Sequence, residues 1–228
     1  LEMIQKCKID IFASGESINK IEETVEKDEN INKLPSRKIN AITSKNKTKK
    51  EEIKTIEDSM EVTQGKLVIG MNVLGEGKDL SYITMVYNAI LGVGANSKLF
   101  QNVREKASLA YTCSSNYVKR KQVIFVRAGI EIENYEKALD IIKIQLEDMK
   151  NGNFTQEEIE SAKNLIYATI NNITEEQDTQ ISYCYGQELA NKNVTVEEYK
   201  QIVEKVTKEQ IQNVANQIEI NTIYFLKD

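Results

Sequence analysis

The residues that could do chemistry lie in one stretch, ANSKLFQNVREKASLAY at positions 95–111, which holds Lys98, Arg104 and Tyr111 among apolar side chains. By spacing, Leu99, Phe100 and Val103 form the buried face of a helix. Arg104 then sits near the helix carboxyl end, where the macrodipole favours a cation whatever else it does. Tyr111 opens a strand, a position where an aromatic ring is at home as ordinary packing. What the chain lacks restricts it further. It contains no histidine, and almost every common catalytic zinc site uses at least one imidazole. Ser/His/Asp and Cys/His catalysis are excluded by the same absence. Cys7, Cys113 and Cys184 are far apart and in no paired metal spacing. They read as thiols of a reducing compartment and as small buried hydrophobes. The polypeptide alone is therefore unequipped for most familiar hydrolytic chemistry, and no metal ligands are assigned to it.

The elements that must position these residues follow from composition and pattern. With 228 residues, 40% hydrophobic and 29% charged, the chain can bury a sizeable core. Its formal net charge is -5, with Lys and Glu interspersed, so no basic surface of the kind that neutralises phosphates is expected. The run KNKTKK is followed at once by acidic residues and reads as solvated. Nucleic acid is not an expected partner. No apolar run approaches the roughly 20 residues needed to cross a bilayer, and the amino terminus has neither a basic nor an apolar leader region. Neither a membrane partner nor a targeting segment is expected, and the location implied is cytoplasmic. The chain begins at Leu1 and enters a strand-like run almost immediately, as a fragment of a longer protein would.

Three segments emerge. Residues 1–34 read as the end of a preceding domain: CKIDIFASG at 7–15 alternates like a strand and closes on Gly15, and Ile18, Ile21 and Val25 mark a short amphipathic helix. Residues 35–61 begin at Pro35 and have the composition of a polar linker. Residues 62–228 form a complete unit. GKLVIGMNVL is a strand; Leu80, Ile83, Tyr87, Ile90 and Leu91 share a helical face; two strands flank the basic turn Lys119–Lys121; and Asn134–Met149 is helical again. Thr155 with Glu158, Thr195 with Glu198 and Thr207 with Gln210 are capping boxes that start three helices. The alternating strand EINTIYFLK ends the chain. The fold class expected is α+β, a mostly antiparallel sheet with helices packed on one face.

The run GVGANSKLFQNVREKASLAYTCSS resembles the second-domain signature of pitrilysin-type (inverzincin) zinc metallopeptidases, the family that includes mitochondrial processing peptidase and insulin-degrading enzyme. The matching residues are Ser97, Lys98, Leu99 and Phe100, then Arg104, then Leu109, Ala110 and Tyr111. FTQEEIESAK is similar to the start of the family's long helix, and KIDIFASG to the last strand of the domain before. The spelling SKLFQNVREKASLAY is most similar to bacterial processing-protease subunits that pair with a separate zinc-bearing partner.

The resemblance implies a processing-peptidase-like half-domain, the carboxy-terminal half of a zinc metalloendopeptidase that cleaves peptides in a closed chamber. Catalysis in such enzymes uses an H-x-x-E-H motif in the first domain, and no such motif occurs here. Zinc is thus expected in a missing amino-terminal half or in a partner subunit, with no cofactor in this chain. By match, Arg104 and Tyr111 bind the peptide beside the metal. A neutral phenol can donate to a carbonyl oxygen as it becomes an oxyanion, and loss of such a donor costs on the order of 100-fold or more in kcat. A guanidinium offers a rigid fork to backbone carbonyls. The alternative is a catalytically inactive structural or assembly subunit of the same family. The remaining tyrosines, including Tyr82, Tyr87, Tyr167, Tyr183 and Tyr185, are expected to pack on helix faces.

Overall fold

The computed structural model describes residues 9–15, 17–34 and 52–228. These fall into two compact units, one built from residues up to 34 together with 169–199, the other from 52–168 together with 200–228.

The larger unit is organised by a five-stranded sheet. Its strands are β1 (Lys54–Ser59), β2 (Gly65–Val73), β3 (Ala110–Val118), β4 (Val123–Ile130) and β5 (Ile218–Lys227), in the order β1-β5-β2-β4-β3. Strand β1 runs parallel to β5, and every other pairing is antiparallel. In β2 the period of two places Leu67, Ile69, Met71 and Val73 in the core and Lys66, Val68, Gly70 and Asn72 towards the other face. Ile124, Val126, Ala128 and Ile130 of β4 and Ile223 and Phe225 of β5 continue that buried layer.

Helix α2 (Leu80–Gly92) lies against β3 and is buried almost all round, with Tyr82, Val86, Tyr87 and Leu91 at most 2% exposed. The single apolar face expected from spacing is too narrow for it, because a helix enclosed by a sheet and two further helices has no solvent side. Those neighbours are α3 (Tyr135–Lys150) and α7 (Lys208–Ala215). Between α3 and α7 the chain forms α4 (Gln156–Glu175), α5 (Gln177–Leu189) and α6 (Val196–Glu204). All three capping boxes are present. The amides of Thr155, Thr195 and Thr207 donate to Glu158 (2.7 Å), Glu198 (2.8 Å) and Gln210 (3.0 Å), and each threonine hydroxyl accepts the reciprocal amide. Gly152 ends the α3 turn at φ +73°, the left-handed geometry that favours glycine.

Two expectations differ from the structure. Residues 54–59, inside the segment read as linker, form β1, while 35–51 lie outside the described residues. KTIEDS gives little apolar signal, since Ile56 alone is even half-buried; its stability comes from main-chain pairing with β5 and from the Lys227–Glu57 ion pair at 2.6 Å. Residues 9–15 form no ladder, and Cys7 and Lys8 lie outside the described residues. With no strand beside it among the described residues, this segment packs on α5 instead: Phe12 meets the Tyr185 ring edge-on at 5.2 Å and Ser14 donates to Gln180 at 2.6 Å. The short helix that follows is α1 (Ile18–Lys27).

Candidate peptide-contact site

The segment before β3 is held from several sides. Ser97 is 2% exposed and donates through its hydroxyl to the Gly94 carbonyl at 2.7 Å. Lys98, its side chain 10% exposed, reaches Glu158 at 3.5 Å, so the carboxylate that caps α4 also anchors this segment. Asn102 donates to Gln145 on α3 at 2.8 Å. Leu99 and Val103 are wholly buried.

Within this frame, Phe100–Lys106 is π-helical where an ordinary helix was expected. Bonding from i to i+5 widens the turn, a distortion often found at functional sites. Here Leu99 and Val103 are both in the core while Phe100 is only half-buried. The Arg104 guanidinium lies 4.5 Å from the centroid of the Phe100 ring, a cation–π contact that fixes its direction. Arg104 also pairs with exposed Glu105 at 3.7 Å, a contact that water screens. Phe100 is therefore a platform for the arginine more than a core residue.

Beyond the π-helix, the Leu109 amide donates to the Val103 carbonyl at 3.1 Å and turns the chain into β3. Ser108 takes the bend at φ +53°. Ala110 pairs with Ile130 and Thr112 with Gly129, which leaves Tyr111 as the extra residue of a bulge. Its side chain is 60% exposed, and its hydroxyl donates to the Glu131 carboxylate just past β4. That hydrogen bond first, then the charge of Glu131, then slight desolvation raise the phenol above its ordinary pKa. Tyr111 is thus a neutral donor throughout the physiological range.

Arg104 and Tyr111 therefore stand on either side of one tight turn, both exposed, each with its own partner. Glu131 was not singled out from sequence. Counting back along the hairpin from Lys119–Lys121 would set Tyr111 opposite Ile130, one residue from that carboxylate, so the register carried the signal. Tyr82 and Tyr87 are buried as expected of helix-face packing, Tyr183 stacks on Tyr199, and Tyr185 is 40% exposed.

Other places carry less chemistry. Among the described residues, no group of three or more His, Cys, Asp or Glu side chains is placed to hold a metal ion. A cavity of about 660 Å³ in the smaller unit is lined by Phe12, Tyr183, Cys184 and Gln187 among others, and the Tyr183 hydroxyl there is already committed to the Val194 carbonyl at 2.7 Å. Among the described residues no helix is long and apolar enough to cross a membrane.

Comparison with known proteins gives one consistent result. Residues 3–166 match the family described as "Peptidase M16 inactive domain". The chain is 34% identical to the probable inactive metalloprotease YmfF of Bacillus subtilis, over 98% of its own length and 52% of the relative's. It superposes on a conserved protein from Enterococcus faecalis V583 with TM-score 0.77 at 30% identity, covering 82% of this chain and 44% of that one. A protease from Helicobacter pylori has the same fold, with TM-score 0.73 at 22% identity over 94% of this chain and 53% of that one. The chain spans about half the length of these proteins.

Proposed function

This chain belongs to the peptidase M16 family as its inactive domain, and on that premise we propose that it is the substrate-gripping half of a zinc metalloendopeptidase whose metal is held elsewhere. The observation that carries the proposal is the exposed pair Arg104 and Tyr111, braced on both sides of one turn by Phe100 and Glu131. A chain that served only as a scaffold would have no physical need of a guanidinium fork and a neutral phenol presented together to solvent.

In the assembled enzyme, Arg104 donates to backbone carbonyls of the bound peptide and sets its register. Tyr111 donates to the carbonyl oxygen under attack, a contact that strengthens as charge develops on that oxygen. The zinc-bearing component is either an amino-terminal half of the same polypeptide or a separate subunit in a dimer of processing-protease type. Zinc supplied there provides the Lewis-acid chemistry that this chain's residues cannot. Among the described residues, buried Cys113 and exposed Cys184 are free thiols, which accords with a reducing, cytoplasmic setting.

The test is Tyr111→Phe in the complete enzyme: kcat should fall on the order of 100-fold with KM little changed, and an unaltered kcat would sink the proposal. The chain by itself should bind no stoichiometric zinc in metal analysis. The Bacillus subtilis relative's description as probably inactive favours a second possibility, a structural or assembly subunit without any part in catalysis. For that possibility, replacing Arg104 and Tyr111 together would leave peptide cleavage by the assembly unchanged.

A further inference from the structure

The bulge leaves Tyr111 60% exposed, so packing does little to direct its ring. An exposed tyrosine has two side-chain torsions and a rotating hydroxyl, so by itself it would aim its one hydrogen in many directions. Glu131 removes that freedom. It stands at φ -63° and ψ 140°, between the end of β4 and the 3-10 turn Ile132–Asn134, and its carbonyl accepts the Asn134 amide at 3.0 Å. The strand on one side and the turn on the other thus fix its backbone, and its carboxylate takes the phenolic hydrogen. Both residues are exposed, where a hydrogen bond of this kind adds little to folding stability. Its consequence is orientation.

We propose that Glu131 is a positioning residue for Tyr111: it accepts the phenolic hydrogen in the empty site, aims the ring, and yields that hydrogen to a peptide carbonyl oxygen when substrate arrives. The inference rests on the peptide-contact role of Tyr111. The exchange is a swap of acceptors. The proton stays on the phenol oxygen throughout, and the released carboxylate is taken up by water. A neutral amide carbonyl is a weaker acceptor than a carboxylate, whereas an oxyanion is comparable to one. The phenol therefore leaves Glu131 most fully when charge builds on the carbonyl oxygen, and its contact favours the transition state over the bound substrate. The raised phenol pKa accords with this arrangement, and Glu131 is the charged group responsible for it.

The test has two arms. In the full-length protein assembled with its zinc-bearing component, Glu131→Ala should lower kcat roughly tenfold, a part of what loss of the phenol costs, with KM changed less than about twofold. Glu131→Gln, which keeps an acceptor oxygen, should recover most of the loss. In a Tyr111→Phe background, Glu131→Ala should have no further effect. In the chain itself, carbon-13 labelling of the tyrosine Cζ should show Tyr111 ionising at lower pH once Glu131 is replaced by Ala. An unmoved ionisation would mean the contact does not exist in solution and would overturn the proposal. A full additive loss in the Tyr111→Phe background would overturn the positioning role alone. A silent Tyr111→Phe would instead remove the peptide-contact role on which it stands.

Discussion

A Cβ placed on Gly92 would lie 2.5 Å from the Ser115 amide nitrogen, so the last turn of α2 and the middle of β3 meet backbone to backbone. The Ser115 hydroxyl uses this closeness to donate to the Asn88 carbonyl at 3.2 Å. The Ser115 hydroxyl could rotate away, but its amide nitrogen and the Cβ attached to the backbone cannot swing aside as the end of a flexible side chain would. Gly92→Ala should cost about 1–3 kcal/mol, measured as a lower denaturant midpoint at unchanged slope. The neighbouring Val93→Ala, at a side chain 37% exposed, should stay within about 0.5 kcal/mol of the parent. Equal midpoints for Gly92→Ala and the parent would show that helix and strand can separate without loss.

Glu158 serves two partners, the Thr155 amide and the Lys98 ammonium group. Replacing it by Gln keeps the reciprocal cap, because an amide oxygen also completes a capping box, and removes only the ion pair. Replacing it by Ala removes both. Thermal unfolding should therefore rank the parent above Glu158→Gln and Glu158→Gln above Glu158→Ala, with the second step about 0.5–2 kcal/mol, the usual worth of a cap. A large first step followed by a negligible second one would mean that Lys98, not the cap, is the partner that matters.

Burial pushes the Cys113 thiol from its ordinary value of 9.0 up to about 12, and it likewise pushes the Tyr117 phenol from 10.0 up to about 12. A folded-state pKa above the unfolded one means that the native form holds its proton after the unfolded chain has released it. The associated stability is fully present below about pH 9 and declines as pH rises towards 12, since the unfolded state then binds fewer protons. Between pH 9 and 10 the thiol should contribute most of the decline, at no more than about 1.4 kcal/mol per pH unit. Cys113→Ala should flatten the pH dependence of unfolding free energy in that interval, whatever its effect on absolute stability. A slope identical to the parent's would show that Cys113 is open to water in the folded chain.

Arg104 presents a planar fork over the Phe100 ring, which a lysine ammonium group cannot reproduce. In the assembled enzyme, Arg104→Lys should raise KM for peptide substrates about tenfold, the effect of losing one bidentate contact, with a smaller change in kcat. Phe100→Leu, which leaves the guanidinium without its platform, should move KM in the same direction by less. Steady-state kinetics on one peptide would decide it: an Arg104→Lys variant with parental KM would mean that charge alone sufficed.

The elements legible in the sequence are those whose signal is local. The alternation through Leu67, Ile69, Met71 and Val73, the capping boxes at Thr155, Thr195 and Thr207, and the turn at Gly152 each depend on residues within a few positions of one another. The hairpin around Lys119–Lys121 belongs with them, whereas Arg104 and Tyr111 stood out only through the resemblance of residues 95–111 to a family signature. Elements without a local signal were misread. The apolar alternation at 9–15 resembled a strand, yet a strand exists only through its neighbour. Strand β1 has almost no pattern and is held by β5, far away along the chain.

The sequence by itself thus determined the main sheet-and-helix elements of the larger unit and the absence of imidazole chemistry, and its resemblance to a family pointed to Arg104 and Tyr111. Only the tertiary structure decided how those two are aimed. The Phe100–Lys106 turn is π-helical, and within it Phe100 lies beneath Arg104. The bulge at Tyr111 breaks the regular register of β3 against β4 and delivers its hydroxyl to Glu131. The bulge depends on pairing between strands that meet only after folding, which no local periodicity encodes, and the π-helical turn departs from the roughly 3.6-residue period that its apolar spacing suggests.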